Sequence, residues 1–307
     1  MRLLLSAFLG LSLASPAAAA CDGRIVDSKS VLHAPLCVPS EPKRIVVLDA
    51  TFNLNMALEL GLPVVGAPLF GIQNPKLQAM AEDASVTDIG SANEPSIERI
   101  IALQPDLILG DASMHAQAYD LATQLAPTVL VNAQDWKEFF AMIAAATGTS
   151  GKADEAFKAY EERAAQIKAR MPDVTVSVVR VMAGGFHVYV DGPAAYAPFA
   201  VMHDAGVKRS AYETATDATI LKRPDWESLA QLDGDVLLYM VGSPYNDERD
   251  GTLEAETLAN PLWQMLPAVK AGRAHKVDIA TWMAFGGLAS ANRILDDVER
   301  YVVAAEP

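Results

Sequence analysis

The chain has 307 residues, 51% of them hydrophobic and 20% charged, and a formal net charge of −14. That length and apolar content suffice for two domains of ordinary size, each with its own buried core. So acidic a chain suits neither a nucleic-acid backbone nor an anionic membrane surface, and neither is expected as a partner.

The first element is an export signal. Met1-Arg2 carries one positive charge, Leu3 to Ala14 is an apolar run, and SPAAAA (Ser15 to Ala20) is a small-residue cleavage region. The pattern over residues 1–20 is a signal peptide, too short to span a bilayer, and no later segment is long and apolar enough to do so. The expected product is a periplasmic protein; loss of residues 1–20, with one arginine and no acid, takes its charge to −15. Cys21 and Cys37 are the two cysteines. In an oxidising compartment they most simply pair, and the strand-turn-strand pattern of GRIVDSKSVLHAPLC would bring them together. The alternative is a lipid anchor at Cys21, although Ala18 stands where such sites usually carry a large aliphatic residue.

Beyond Cys37, short aliphatic runs alternate with helical patterns. RIVVLD (44–49), PVVGAP (63–68), DLILGD (106–111) and TVLVNA (128–133) form one set of expected strands. VSVVRVMA (176–183), DVLLYMV (235–241) and AHKVDIA (274–280) form a second, with HVYVDG (187–192) as an extra strand. Continuous aliphatic strands separated by helices predict mostly parallel sheets covered on both faces. Between the sets, Lys152 to Pro172 places Ala156, Phe157, Tyr160, Ala164, Ile167 and Met171 at three- and four-residue steps, one face of a long helix. The expected architecture is therefore α/β: a Rossmann-like lobe over 21–150, a linking helix over 151–172, and a second such lobe over 173–307. The ligand cleft should lie between them.

One paragraph of sequence occurs twice. PSIERIIALQPDLIL (95–109) and PDWESLAQLDGDVLL (224–238) align without a gap, matching Pro95 with Pro224, Glu98 with Glu227 and Asp106 with Asp235. Each copy reads as a helix whose first turn holds the proline, a glutamate near the positive end of its dipole, and then a buried strand. Equivalent units in the two strand sets support two similar lobes.

Signatures of catalysis are missing. The sequence has no G-x-S-x-G elbow, no P-loop and no H-E-x-x-H. An exported hydrolase would have to use Ser113 beside His115 or Ser243 beside Asp247, both outside any elbow. The five histidines show no metal-ligand spacing, so neither a catalytic set nor a direct metal site is expected. Open α/β sheets bind ligands at the carboxyl ends of their strands. Loops at those ends supply Phe52, Phe70, Asn93, Met114 and His115 from the first set. From the second come Arg180, Tyr196, Arg223, Tyr245, Trp282 and Phe285. Aromatic and amide side chains with few charges suit a bulky, partly apolar ligand. Trp282 and Phe285, beside Gly286-Gly287, read as loop residues available for stacking.

Several stretches carry a family resemblance: EPKRIVVLD (41–49), EPSIERIIALQPDLIL (94–109), VSVVRVMAGGFHVY (176–189), NPLWQMLPAVKAGRAHKVD (260–278) and TWMAFGGLASANRILDDVERYV (281–302). Together they resemble the periplasmic substrate-binding proteins of ABC importers for ferric siderophores, cobalamin and haem, closest to the binders of ferric hydroxamates and related siderophores. The resemblance implies a non-enzymatic, monomeric clamp with little hinge motion and a ferric siderophore between its lobes. It implies no cofactor of its own, and a partner in the permease dimer of an importer. It also implies that Glu98 and Glu227, one per lobe, dock into arginine pockets of the two permease subunits. Departures bear on the cargo: Gly90-Ser91-Ala92-Asn93 lacks the arginine that ferric-hydroxamate binders place there, and Met114 or His115 stands where a tyrosine is expected. Arg180 matches a cleft arginine and Trp282 a cleft tryptophan. Cobalamin and haem are the alternative cargoes, haem requiring an axial ligand such as His115 or Tyr245.

Overall fold

The computed structural model describes residues 21–50, 52–70, 72, 74–242 and 250–304. A small antiparallel ribbon comes first, β1 (Arg24–Val26) against β2 (Leu36–Val38). Cys37 lies in β2 and is disulfide-bonded to Cys21, with the Cα atoms 5.7 Å apart. The bond closes a loop of 16 residues, so the double variant Cys21→Ser/Cys37→Ser is expected to lose about 3 kcal/mol. Urea denaturation checks this, and an unchanged midpoint would contradict it.

Five parallel strands follow: β3 (Ile45–Val47), β4 (Val64–Ala67), β5 (Thr87–Asp88), β6 (Leu107–Asp111) and β7 (Thr128–Val131), in the order β5-β4-β3-β6-β7. The second sheet is mixed, with β8 (Val176–Met182), β9 (Gly185–Tyr189), β10 (Leu221–Lys222), β11 (Val236–Val241) and β12 (Ala274–Lys276) in the order β10-β9-β8-β11-β12. Here β8, β11 and β12 are parallel, while β9 and β10 add antiparallel strands at one edge. Helices α1 (Phe52–Glu59), α2 (Pro75–Asp83), α3 (Ile97–Leu103), α4 (Ala112–His115), α5 (Tyr119–Ala122) and α6 (Trp136–Thr147) accompany the first sheet. After the link α7 (Ser150–Lys168) come α8 (Ala197–Asp204), α9 (Asp250–Ala259), α10 (Pro261–Gln264), α11 (Pro267–Lys270), α12 (Ile279–Met283) and α13 (Leu288–Val298).

At 1.5 Å per residue, α7 is roughly 28 Å long. It ends at Lys168, short of Pro172, because a proline disfavours helical geometry in the residue before it. Its buried face is Ala153, Tyr160, Ala164 and Ile167, with Ala156 and Phe157 half-buried. Arg163 on the outer side reaches α13, pairing with Asp296 and Glu299.

One core cluster runs unbroken from the first sheet to the second, through α1, α6, α7, α8 and α13. Trp136 is its joint, edge-on to Tyr160 (5.5 Å) and to Phe285 (5.3 Å). Polar contacts reinforce the seam. Asn55 of α1 donates to the carbonyl of Gly286 (2.8 Å), and Glu59 accepts from the amides of Leu288 and Ala289, both at 3.0 Å. Asp204 of α8 takes both the Tyr160 hydroxyl (2.7 Å) and the Lys137 ammonium (2.8 Å). Lobes that share a continuous dry core resist wide hinge opening, because separation would expose that core to water.

The twice-written paragraph folds less symmetrically than its sequence. In the first copy Ser96 caps α3, its hydroxyl accepting from the amide of Arg99, so Pro95 precedes the cap and lies outside the helix. The second copy forms only a 3-10 turn (Ser228–Gln231): Asp225 opens it by accepting from the amide of Ser228 at 2.8 Å, in the same pattern as Ser96, but Leu232 leaves helical geometry and ends it. The aspartates do match. Asp106 accepts from the amides of Lys43 and Arg44 just ahead of β3, and Asp235 accepts from the amide and hydroxyl of Thr175 just ahead of β8. In each lobe, then, the repeated aspartate ties the start of its own strand to the start of the neighbouring central strand.

Candidate functional site

A crevice forms in an open α/β sheet where successive strands diverge to opposite sides. In the first sheet β3 leads to β4 and β5 on one side, while β6 leads to β7 on the other, so the crevice lies above β3 and β6. Asp49, Asn53 and His115 gather there, all buried. Asp49 accepts from the backbone and side-chain amides of Asn53. Burial pushes the Asp49 carboxyl above the usual range, against the lowering effect of those bonds. His115 sits in the last turn of α4, which Asp111 caps, and its Nδ1 lies 3.3 Å from the amide and 3.1 Å from the carbonyl oxygen of Asp111. The Ser113 hydroxyl donates to the Asp111 carboxylate (2.6 Å) and not to His115, so the pair lacks the link that activates a serine nucleophile.

In the second sheet the divergence falls between β8 and β11, and Arg180 occupies it. Its Nε donates to the carbonyl of Gly242 at 2.8 Å, and its Nη1 lies 3.4 Å from the Tyr189 hydroxyl. Tyr189 stacks on Phe199 (5.1 Å, 15°) and stands 5.7 Å from Tyr196. A cavity of about 940 Å³ opens between the lobes beside this aromatic row. Phe52, Asp135 and Trp136 form one wall; Asp191, Tyr196 and Asp204 form the other. A second cavity, about 820 Å³, lies at the tip of the β8–β9 hairpin and is lined by His187, Arg223, Trp226 and Glu256 among others. Among the described residues no group of three or more His, Cys, Asp or Glu side chains is placed to hold a metal ion. None of their helices is long and apolar enough to cross a membrane.

The model of the periplasmic binding protein family matches residues 45–278. The chain belongs to this family. One relative of this periplasmic binding protein is the "Probable siderophore-binding lipoprotein" of Bacillus subtilis, 31% identical over 275 residues, covering 86% of this chain and 83% of that one. Another is the Fe(3+) dicitrate-binding periplasmic protein of Escherichia coli, 24% identical over 273 residues and covering 86% of each chain. The Staphylococcus aureus protein SirA, solved with staphyloferrin B, superposes with a TM-score of 0.75 at 24% identity, covering 90% of this chain and 98% of that one. It shares the fold.

In this periplasmic binding protein the sequence-based site candidates divide into groups. Phe52 and Tyr196 line the interlobe cavity from opposite lobes, and Tyr196 also donates to the carbonyl of Met283 at 3.2 Å. Arg180 stands at the second sheet's divergence, and Arg223 is exposed on the hairpin-tip cavity. Phe70, Asn93 and Met114 are exposed on the loops of the first lobe, Phe70 at 81%. Tyr245, Ser243 and Asp247 lie outside the described residues.

Two candidates move into the core. Trp282 is fully buried, and its indole N–H donates to Asp297 at 2.8 Å. Phe285 is buried against Trp136. Their neighbourhood is not an open loop: Asp278 caps α12 by accepting from the amide of Thr281, the short helix turns Trp282 inward, and Phe285, two residues beyond it, packs on Trp136. The exposed ring surfaces nearby belong to other residues: Tyr189 and Tyr196 beside Arg180, and, on the hairpin-tip cavity, the half-buried Trp226, which packs edge-on against Phe186. Sequence reasoning missed Tyr189, His187 and Trp226, although the two-residue step from His187 to Tyr189 marks one strand face. Glu98 and Glu227 are exposed, each just ahead of or within the first turn after its proline. The Glu98 carboxyl is held below its usual range by its own backbone amide and by the Ser96 hydroxyl at 3.1 Å.

Proposed function

We propose that this protein captures a ferric siderophore between its lobes and delivers it to an ABC importer, performing no reaction itself. The observation that carries the proposal is the cation-edged aromatic surface at the second sheet's divergence, where Arg180 is fixed by Gly242 and Tyr189. Such a surface suits a bulky chelate with oxygen atoms at its rim: rings cover the organic framework, and the guanidinium meets carbonyl, carboxylate or catecholate oxygens. Since the described residues assemble no ligand set for a bare ion, the iron would arrive inside its own chelator. The names of the relatives, one siderophore-binding and one Fe(3+) dicitrate-binding, support the same cargo class.

Delivery would use Glu98 and Glu227 against a pair of permease subunits, with the protein a periplasmic monomer. The Cys21 sulfur is bonded to Cys37 and so is not free to carry a thioether lipid, which favours the cleaved, soluble form.

The test is tryptophan fluorescence titrated with ferric citrate, a ferric trihydroxamate, a ferric triscatecholate, haem and cobalamin. Trp136, on the wall of the interlobe cavity, and the half-buried Trp226, on the hairpin-tip cavity, are the expected reporters, since Trp263 and Trp282 are buried and line neither. Saturable quenching by a ferric chelate is expected, weakened at least about tenfold by Arg180→Met through loss of a charge-assisted contact. Binding of haem or cobalamin alone, or of none of the five, would overturn the proposal.

A further inference from the structure

His187 stands in the middle of a row of basic side chains. On β9 it lies directly across from Arg180 of β8. On its other side β10 pairs Lys222 with Val188, so Arg223, the next residue, falls opposite His187. Neighbouring strands lie about 4.8 Å apart, so three bases share one strip of sheet face roughly 10 Å across. Like charges placed directly opposite one another repel and destabilise a sheet. The central position, between two permanently charged arginines, holds the one side chain that can shed its charge near neutral pH.

The surroundings keep that imidazole neutral when the site is empty. Its Nδ1 is buried and has no hydrogen-bond partner, so a second ring proton would find no acceptor. Burial first, and then the charges of Arg223 and Arg180, depress its pKa below the ordinary histidine value. Other polar groups facing the strip are the Tyr189 ring, 6.4 Å from the imidazole, and the carboxyls of Asp225 and Glu256, which line the same cavity. Asp225 is already engaged with the amide of Ser228, and Lys222 turns away to the carbonyl of Tyr212.

We propose that Arg180, His187 and Arg223 form one anion-recognition row in which His187 takes up a proton as an anionic ferric chelate binds, so that capture tightens in mildly acidic surroundings. The inference rests on the ferric-chelate reading above and narrows it to chelates with carboxylate or catecholate oxygens. A bound anion supplies the negative potential that the empty row lacks. It lifts the imidazole pKa, and by linkage each unit of that lift is worth about tenfold in affinity once the pH is low enough. A neutral trihydroxamate gains little from the same proton.

The experiment compares wild type, His187→Gln and His187→Lys, with ferric citrate and a neutral ferric trihydroxamate as probes, from pH 8 to pH 5.5. Taking the ratio to His187→Gln at each pH cancels the titration of the chelate itself. Wild type should gain about tenfold over His187→Gln in ferric-citrate affinity across this range. His187→Lys should hold the tight affinity at both ends. Calorimetry in two buffers of different ionisation enthalpy should show a proton taken up by wild type near pH 7 and none by His187→Gln. The His187 ring signals, assigned by their loss in His187→Gln, should titrate at higher pH when gallium citrate replaces the paramagnetic iron complex. If chelates bind but wild type and His187→Gln keep parallel pH profiles, this proposal is overturned while the binding function stands. If no ferric chelate binds wild type at any pH, both fall together.

Discussion

A protein carrying Glu98→Lys and Glu227→Lys together should fail to support ferric-chelate uptake in cells that depend on it, while binding the chelate as tightly as wild type. Two exposed carboxylates, one per lobe, face outward from the start of equivalent units. Each would accept a paired contact from an arginine on one permease subunit. Losing one partner of such a contact costs about 2–5 kcal/mol, and a reversed charge adds repulsion, so the double variant should dock at least about a hundredfold more weakly. Single reversals should give intermediate uptake. The competing explanation is that the glutamates only complement their local turns, as the Ser96–Glu98 contact does. It predicts a different pattern: a small loss of stability, about 0.3–1 kcal/mol for a charge at a helix terminus, and normal uptake. Melting curves, chelate titrations and radio-iron uptake on the same three variants separate the two. Normal uptake by the double variant would remove the docking role.

Much of this architecture was legible because its central strands are buried on both faces, and such strands must be written as aliphatic runs. Five of the expected runs fall on strands with a neighbour on each side, β3, β4, β6, β8 and β11. A sixth falls on β7, an edge strand that is buried throughout; the seventh reaches β12, an edge strand of three residues that are at most half-buried. Short edge strands carry no such signature: β5 and β10 have two residues each and pair on one side only. The repeated paragraph conveyed equivalence more faithfully than conformation. Its aspartates do the same work in both lobes, but the second copy stops after a 3-10 turn where Leu232 leaves helical geometry, which no periodicity reveals.

The site was legible by place and less so by residue. Strand order alone puts the two sheet divergences above β3/β6 and β8/β11, and Arg180 lies near the carboxyl end of β8, in the second set. Trp282 was misread because two glycines nearby suggest a loop, whereas what decides its position is Asp297, fifteen residues further along the chain. That contact exists only once α12 and α13 have packed. His187 and Tyr189 escaped notice for a related reason: β9 could be read as a strand, but its antiparallel pairing beside Arg180 is a property of the assembled sheet.

Replacing Glu59 should show that the seam between the lobes is itself pH-sensitive. Glu59 is the last residue of α1, yet its carboxylate serves α13 of the other lobe, accepting from the amides of Leu288 and Ala289 while also holding Asn55 at 2.9 Å. Burial pushes its pKa from the ordinary 4.5 up to about 7, even though those three bonds and the nearby Arg293 all favour the ionised form. An acid whose pKa is higher folded than unfolded binds its proton more tightly in the native state. Its stabilising contribution is therefore complete below pH 4.5 and is lost as pH rises through about 7. A shift of that size corresponds to about 3 kcal/mol across the window. Glu59→Gln removes the titration while keeping an amide oxygen for the α13 amides, so its stability relative to wild type should improve by that amount between pH 4.5 and pH 8. Glu59→Ala leaves buried donors without an acceptor and should cost about 2–4 kcal/mol, with faster hydrogen exchange at Leu288 and Ala289. Other groups titrate in both wild type and Glu59→Gln, so the difference between their urea-denaturation curves isolates this carboxyl. Parallel curves from pH 4.5 to pH 8 would mean that Glu59 stays ionised in the folded protein and that the backbone amides of α13 outweigh its burial.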